Sequence, residues 1–296
     1  MFRDRDLWLR LAAALLPQRS GYALTKRWSA RSDPARFEWI AAVVAQEAER
    51  LLHDPARAAT AARGFVPEIA CDDLDVVTAI LWPRALRRRS TDAEGAEHLP
   101  ATGPVLLVSF HFSGGLRVFE TLGERRTTFL LAENRPGARR YLRVLEALRR
   151  LYFRRVLEPP WIAIGEGARE RLREHLQRGG ALVALLDVAP GEIGLRDHVS
   201  TELLGRPLRL PVGLLRLAAS ERIPVIPFAG RIKDGRRVIR VHPAIAGDDP
   251  IALLERVLRT FEGIIREQPE TWQGWLDVDR LFTVEADAPA GDQREA

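Results

Sequence analysis

Val105-Leu-Leu-Val-Ser-Phe-His111-Phe-Ser-Gly-Gly-Leu116 is an apolar run that ends in a histidine and is followed at once by two glycines. An apolar run of this length reads as a buried strand, and the glycines stand where a helix can begin. The imidazole is thereby placed at the carboxyl end of a strand, beside a helix N-terminus. Open α/β sheets hold their ligands at that edge, and helix N-termini favour negative charge. Two readings of His111 follow: a general base facing developing oxyanion charge, or a buried histidine satisfied by backbone hydrogen bonds.

Outward from this stretch the pattern repeats. Short apolar runs at Val105–Phe110, Thr127–Leu131, Trp161–Ile164, Ala181–Leu186, Ile223–Phe228 and Val238–Val241 alternate with amphipathic segments. Those segments, expected as helices, are Leu116–Leu122, Arg139–Tyr152, Glu166–Gln177, Val212–Ser220 and Ile251–Glu267. Such alternation predicts an α/β fold with a mostly parallel central sheet flanked by helices.

The first ninety or so residues are expected to be helical. Asp33-Pro34 supplies an N-cap and a first-turn proline for a helix running towards Leu52, and a second helix is expected over Asp73 to Arg89, kinked or divided at Pro83. The run Arg87-Arg88-Arg89 fits a solvated helix end or a phosphate contact. Leu7, Trp8, Leu11 and Leu15 fall at helical spacing, as in a helix packed on a core or lying on a membrane surface. The apolar stretch from Leu7 to Leu16 is interrupted by Arg10 and stopped by Pro17. It is short of the ~20 apolar residues that span a bilayer. The expected organisation is a helical N-terminal region over 1–95, an α/β core over 96–285, and a mobile polar tail over 286–296.

The 296 residues carry 45 basic and 40 acidic side chains, a formal charge of +5, and lysine stands only at Lys26 and Lys233. Arginine-rich composition fits either genome composition or attraction to anionic partners (phospholipid headgroups, an acidic carrier protein or nucleic acid), and no zinc-finger spacing or basic tail points to the last. With Cys71 alone there is no intrachain disulfide, which fits a reducing compartment. The nucleophile-elbow, phosphate-loop and zinc-protease motifs are all absent. His175 and His242 have no neighbours at metal-ligand spacing and read as structural, so no metal is expected.

Several segments then follow in a telling order: Arg178-Gly-Gly180, Ala181-Leu-Val-Ala-Leu-Leu-Asp187, Leu204-Gly-Arg-Pro207, Leu217-Ala218, Ile223-Pro-Val-Ile-Pro227, Asp234-Gly-Arg236, His242-Pro243 and Pro269-Glu-Thr-Trp-Gln-Gly-Trp275. From about residue 100 to 280 this order resembles the lauroyl/myristoyl acyltransferases of lipid A biosynthesis, within the lysophospholipid acyltransferase superfamily. The resemblance implies a membrane-associated enzyme that moves a fatty acyl chain from an acyl carrier protein or coenzyme A thioester to a hydroxyl. It implies no cofactor beyond that donor. It also implies a histidine followed, after four residues, by an acid that orients the imidazole.

Here the chain departs from the pattern, because the position of the acid holds Leu116. Loss of the orienting acid in a serine-protease triad costs about 10⁴-fold in rate. Three carboxylates are candidates to replace it: Glu120, Asp187 and Glu133. Arg135, Arg206 and Arg231 are candidates for binding phosphate, pantetheine or the acyl acceptor. Ser113 and Gly114 belong to the same expected site, with Ser113 also fitting a helix cap.

The expected activity is O-acyl transfer to a hydroxylated lipid or specialised metabolite. A non-catalytic lipid- or partner-binding descendant and a thioester hydrolase are the alternatives. The expected location is cytoplasmic, peripheral on the inner face of the cell membrane.

Overall fold

The computed structural model describes residues 11–82, 89–122, 127–131, 157–165, 167–188 and 197–282. Residues 11–14 are helical, and three longer helices follow: α1 (Gln18–Ser32), α2 (Pro34–Leu52) and α3 (Pro55–Leu81). Both α2 and α3 begin at an Asp-Pro pair, where Asp33 and Asp54 accept first-turn backbone N–H groups and the proline occupies a position with no N–H to satisfy. The helix expected from Asp73 thus begins eighteen residues earlier, at Pro55, and carries Pro67 within it. Pro83, Arg87 and Arg88, the start of the Leu7–Leu16 segment, the helix at Arg139–Tyr152 and the tail over 286–296 lie outside the described residues.

The strands are β1 (Thr91–Glu94), β2 (Val105–Ser109), β3 (Thr127–Leu131), β4 (Leu157–Ala163), β5 (Ala181–Leu185), β6 (His198–Leu203), β7 (Arg206–Pro211), β8 (Val225–Lys233) and β9 (Arg236–Val241). Seven of them form one sheet in the order β1-β9-β8-β2-β5-β3-β4. Every neighbouring pair in it is parallel except β8 and β9. Those two are joined by Asp234-Gly235, both at positive φ (52° and 74°), the backbone of a two-residue hairpin turn. Strands β6 and β7 form a separate antiparallel hairpin through Leu204-Gly205, also at positive φ. The short helix α4 (Val118–Thr121) and the longer α5 (Ala168–Gln177), α6 (Gly213–Glu221) and α7 (Pro250–Glu267) alternate with these strands, and α8 (Val278–Leu281) follows. The fold is therefore α/β with a mostly parallel central sheet, flanking helices and a helical N-terminal region.

Strand β2 lies at the centre, and its pleat divides the core. Leu106 and Val108 join the cluster that includes α2, α3, α6 and α7, while Val105 and Leu107 join Val118, Phe119 and Ile226 on the other face. Burial on both faces is why β2 reads as continuous apolar sequence rather than as alternation. No helix among the described residues is long and apolar enough to cross a membrane.

The N-terminal helices are tied to the sheet by charge. Glu68, Asp72 and Asp75, at i, i+4 and i+7, share one face of α3. Arg237 of β9, fully buried, meets Asp72 and Asp75 at 2.8 Å each. Its Nη1 lies 3.6 Å from Glu68, and its guanidinium stands over the Tyr22 ring. Arg117 and the Tyr22 hydroxyl also donate to Asp75 (2.9 and 2.6 Å), and Lys26 reaches Glu68. Breaking a buried ion pair leaves the surviving charge desolvated, a cost of about 3–5 kcal/mol, whereas an exposed pair is worth about 0–1 kcal/mol. Arg237→Leu is accordingly expected to cost about 3–5 kcal/mol in urea unfolding. Arg236→Leu, which removes the exposed pair with Asp92, is expected to cost no more than about 1 kcal/mol. Equal losses would refute the special standing of the buried layer.

Candidate active site

Strands β2 and β5 are adjacent and parallel, with Val105 opposite Ala181 and Ser109 opposite Leu185. Two residues past each strand end the same offset of 76 sets His111 beside Asp187. Each residue is the middle of a three-residue turn, because Phe112 N–H donates to the Phe110 carbonyl and Val188 N–H to the Leu186 carbonyl. The His111 backbone N–H donates to both carboxylate oxygens of Asp187 at 2.9 Å, and ring Nδ1 lies 2.8 Å from Oδ1.

A carboxylate only accepts, so that contact requires Nδ1–H and leaves the lone pair of the neutral ring on Nε2. Exposure is divided in the same sense: the His111 side chain is 34% exposed and that of Asp187 only 2%. The arrangement can draw a proton to Nε2 and stabilise the imidazolium that results. Of the three carboxylates expected as candidates, Asp187 is the one that lies against the His111 ring among the described residues, and it comes from a neighbouring strand.

A second support comes from the segment 268–276. Its two short 3₁₀ turns, Pro269–Thr271 and Gln273–Leu276, flank Trp272. The Trp272 indole N–H donates to Asp187 Oδ2 at 3.1 Å. Gln273 N–H donates to the His111 carbonyl and Ser113 N–H to the Thr271 carbonyl, both at 2.8 Å. The Gln273 side chain reaches Asp72, also at 2.8 Å, which joins the histidine turn to the buried charges of α3.

The other expected site residues are distributed differently. Glu120 lies half-buried on α4, where its charge supports that of Arg117. Glu133 and Arg135 lie outside the described residues. Ser113 is buried and does not cap a helix. Its hydroxyl donates to Asp72 and Glu68 (2.8 and 3.0 Å) and accepts from Arg237, and the following 3₁₀ turn is capped by Gly114 without a side-chain bond. Gly114 takes φ +74° and gives its N–H to Asp72; a Cβ there would sit 2.5 Å from Arg237 Cδ, so glycine is required twice over.

Arg206 opens β7 with its guanidinium 5.8 Å from the centre of the Phe282 ring. Arg231 forks onto Glu94 through Nη2 (3.1 and 3.2 Å) and faces Glu267. His175 bonds the Ala181 carbonyl, and burial depresses the pKa of His242. Among the described residues no group of three or more His, Cys, Asp or Glu is placed to hold a metal.

No protein-family model and no curated protein matches the chain. Among solved structures it is similar to the 1-acyl-sn-glycerophosphate (LPA) acyltransferase PlsC from Thermotoga maritima, with 13% identity and a TM-score of 0.35 over 84% of this chain and 98% of that one. A likeness so distant carries no functional weight.

The charge layer beside the site gives it a pH dependence. Burial pushes the Asp72 carboxyl up to about 7, against the pull of Arg237 and with repulsion from Asp75 and Glu68 added. Burial works in the same direction on Asp75, but Arg237 and Arg117 overcome it and hold that carboxyl below its ordinary value. Between the ordinary value of 3.8 and about 7, native Asp72 keeps a proton that the unfolded chain has lost. Its contribution to stability is therefore full below 3.8 and is lost as pH rises through about 7. Asp72→Asn is expected to flatten the decline of the urea midpoint between about pH 4 and about pH 7. An unchanged slope would place the titration elsewhere.

Proposed function

We propose that the protein is an O-acyltransferase in which His111 is the general base and Asp187 its orienting acid. The observation that carries the reading is the 2.8 Å contact between Nδ1 and the buried carboxylate, with the imidazole half-exposed. His111 Nε2 takes the proton of an acceptor hydroxyl as its oxygen attacks an acyl thioester. The C–O bond forms, the C–S bond breaks, and the imidazolium returns the proton to the departing thiolate. Asp187 steadies the ring and its transient charge, the role a carboxylate plays in triad enzymes.

The donor is an acyl carrier protein or coenzyme A thioester, and the acceptor a hydroxylated lipid or specialised metabolite. The arginine-rich composition and net charge of +5 support recruitment of an acidic carrier or an anionic membrane surface on the cytoplasmic side. Leu116 favours a non-catalytic descendant only if no other acid serves His111, and the buried Asp187 beside the ring supports the catalytic reading.

Expressed in one host, the intact protein and His111→Ala are expected to differ by an acylated species visible in mass spectra of total lipids and small metabolites. Asp187→Asn is expected to lower that product about 10³- to 10⁴-fold in rate, by analogy with triad acids. Thioester loss without any acylated acceptor would convert the reading to hydrolysis. Identical profiles from folded intact protein and His111→Ala would overturn both.

A further inference from the structure

Asp187 is pinned through both of its oxygens. Oδ1 faces ring Nδ1 at 2.8 Å and Oδ2 faces the Trp272 indole N–H at 3.1 Å, while the His111 backbone N–H is shared between them. With the side chain only 2% exposed, bulk water is poorly placed to replace a lost donor. Trp272 is itself fully buried, with its ring against Phe110 and Trp275 at 6.2 and 4.7 Å between centroids.

Its position is fixed along the chain as well as across the core. Trp272 is paired with Phe112 in an antiparallel bridge, and the residues on either side of it bond His111 and Ser113. Gly274 makes room for the indole, because a Cβ at that position would lie 2.3 Å from Cε2 and 2.6 Å from Nε1. Packing alone would be served by phenylalanine; an indole buried this deeply needs a partner for its N–H, and the partner here is the acid of the pair.

We infer that Trp272 is a positioning residue for the His111–Asp187 pair: its indole N–H holds Oδ2 so that Oδ1 faces the imidazole and fixes the tautomer that leaves Nε2 basic. The consequence for turnover rests on the acyltransferase reading; the consequence for the imidazole does not.

The test replaces the donor and keeps the ring. β-(3-Benzothienyl)alanine at position 272 puts sulfur where the N–H was at nearly constant size, and Trp272→Phe is a second variant that lacks it. Three readouts are taken on the full chain: the thermal midpoint, the His111 ring tautomer by ¹⁵N NMR, and release of coenzyme A from lauroyl-coenzyme A with a host lipid extract as acceptor. The expected result for the benzothienyl variant is a nearly unchanged midpoint and loss of a dominant Nδ1–H tautomer. Turnover is expected to fall about 10- to 100-fold at unchanged KM, the range found when outer partners of metal-bound histidines are removed. In an Asp187→Asn background the same replacement is expected to add nothing to the tautomer change or the rate loss, as two residues acting through one contact require.

A wild-type ring without a dominant Nδ1–H, an unchanged tautomer in the benzothienyl variant, or the same further rate loss with and without Asp187 would overturn the inference. If the tautomer responds as stated while wild-type protein releases no coenzyme A above the His111→Ala background with lauroyl-coenzyme A or the corresponding acyl carrier protein, the acyltransferase reading falls and the positioning role stands.

Discussion

One guanidinium with no access to solvent holds the two parts of this molecule in relation to each other. Arg237 projects from the sheet into a helix face carrying three acids, and the charges beside it are satisfied only when α3 lies against β9 in one position. An apolar contact would tolerate sliding, but a desolvated charge does not, because every displacement strands an ion in a medium that cannot screen it. The same acids hold the turn after His111: Asp72 accepts from Ser113, from Gly114 N–H and from Gln273. The N-terminal helices thus belong to the candidate site by mechanics, although His111 and Asp187 follow the ends of sheet strands.

Parallel pairing supplies the other half of the geometry. A one-residue slip between β2 and β5 would carry Asp187 away from the imidazole and turn each strand's side chains to the opposite face. Core packing forbids the slip, since Leu106 and Leu182 belong to one hydrophobic cluster and Val105, Ala181 and Val183 to the other. The precision of the pair is in this way drawn from the sorting of aliphatic side chains some way from it.

The sequence made some of this readable. A run of Val and Leu ending in a histidine marks a strand end on sight, and Asp187 closes a similar run, so both residues are identifiable locally. Which of three acids meets His111 depends on pairing across 76 residues, and no local pattern carries that information. The charge layer had a signal that the helix boundary concealed. Taking Asp73 as a helix start separates it from Glu68 and hides the shared face of 68, 72 and 75. The earlier Asp54-Pro55 pair, of the same kind as Asp33-Pro34, was the cue. Strand β1 and the β6–β7 hairpin escape notice because they are short and partly exposed, and Leu204-Gly205 is not an Asn-Gly type of turn signal. Trp272 was visible as part of a motif; its duty was not, since an indole N–H shows its purpose only when its acceptor is in place.

A histidine and a carboxylate placed in one short loop are separated by any insertion between them. Here the two partners belong to different strands, aligned by a ladder of backbone bonds that is indifferent to the chain running between them. The register of β2 on β5, rather than the length of chain between them, sets the distance from His111 to Asp187. The contact between His111 and Asp187 asks nothing of position 116.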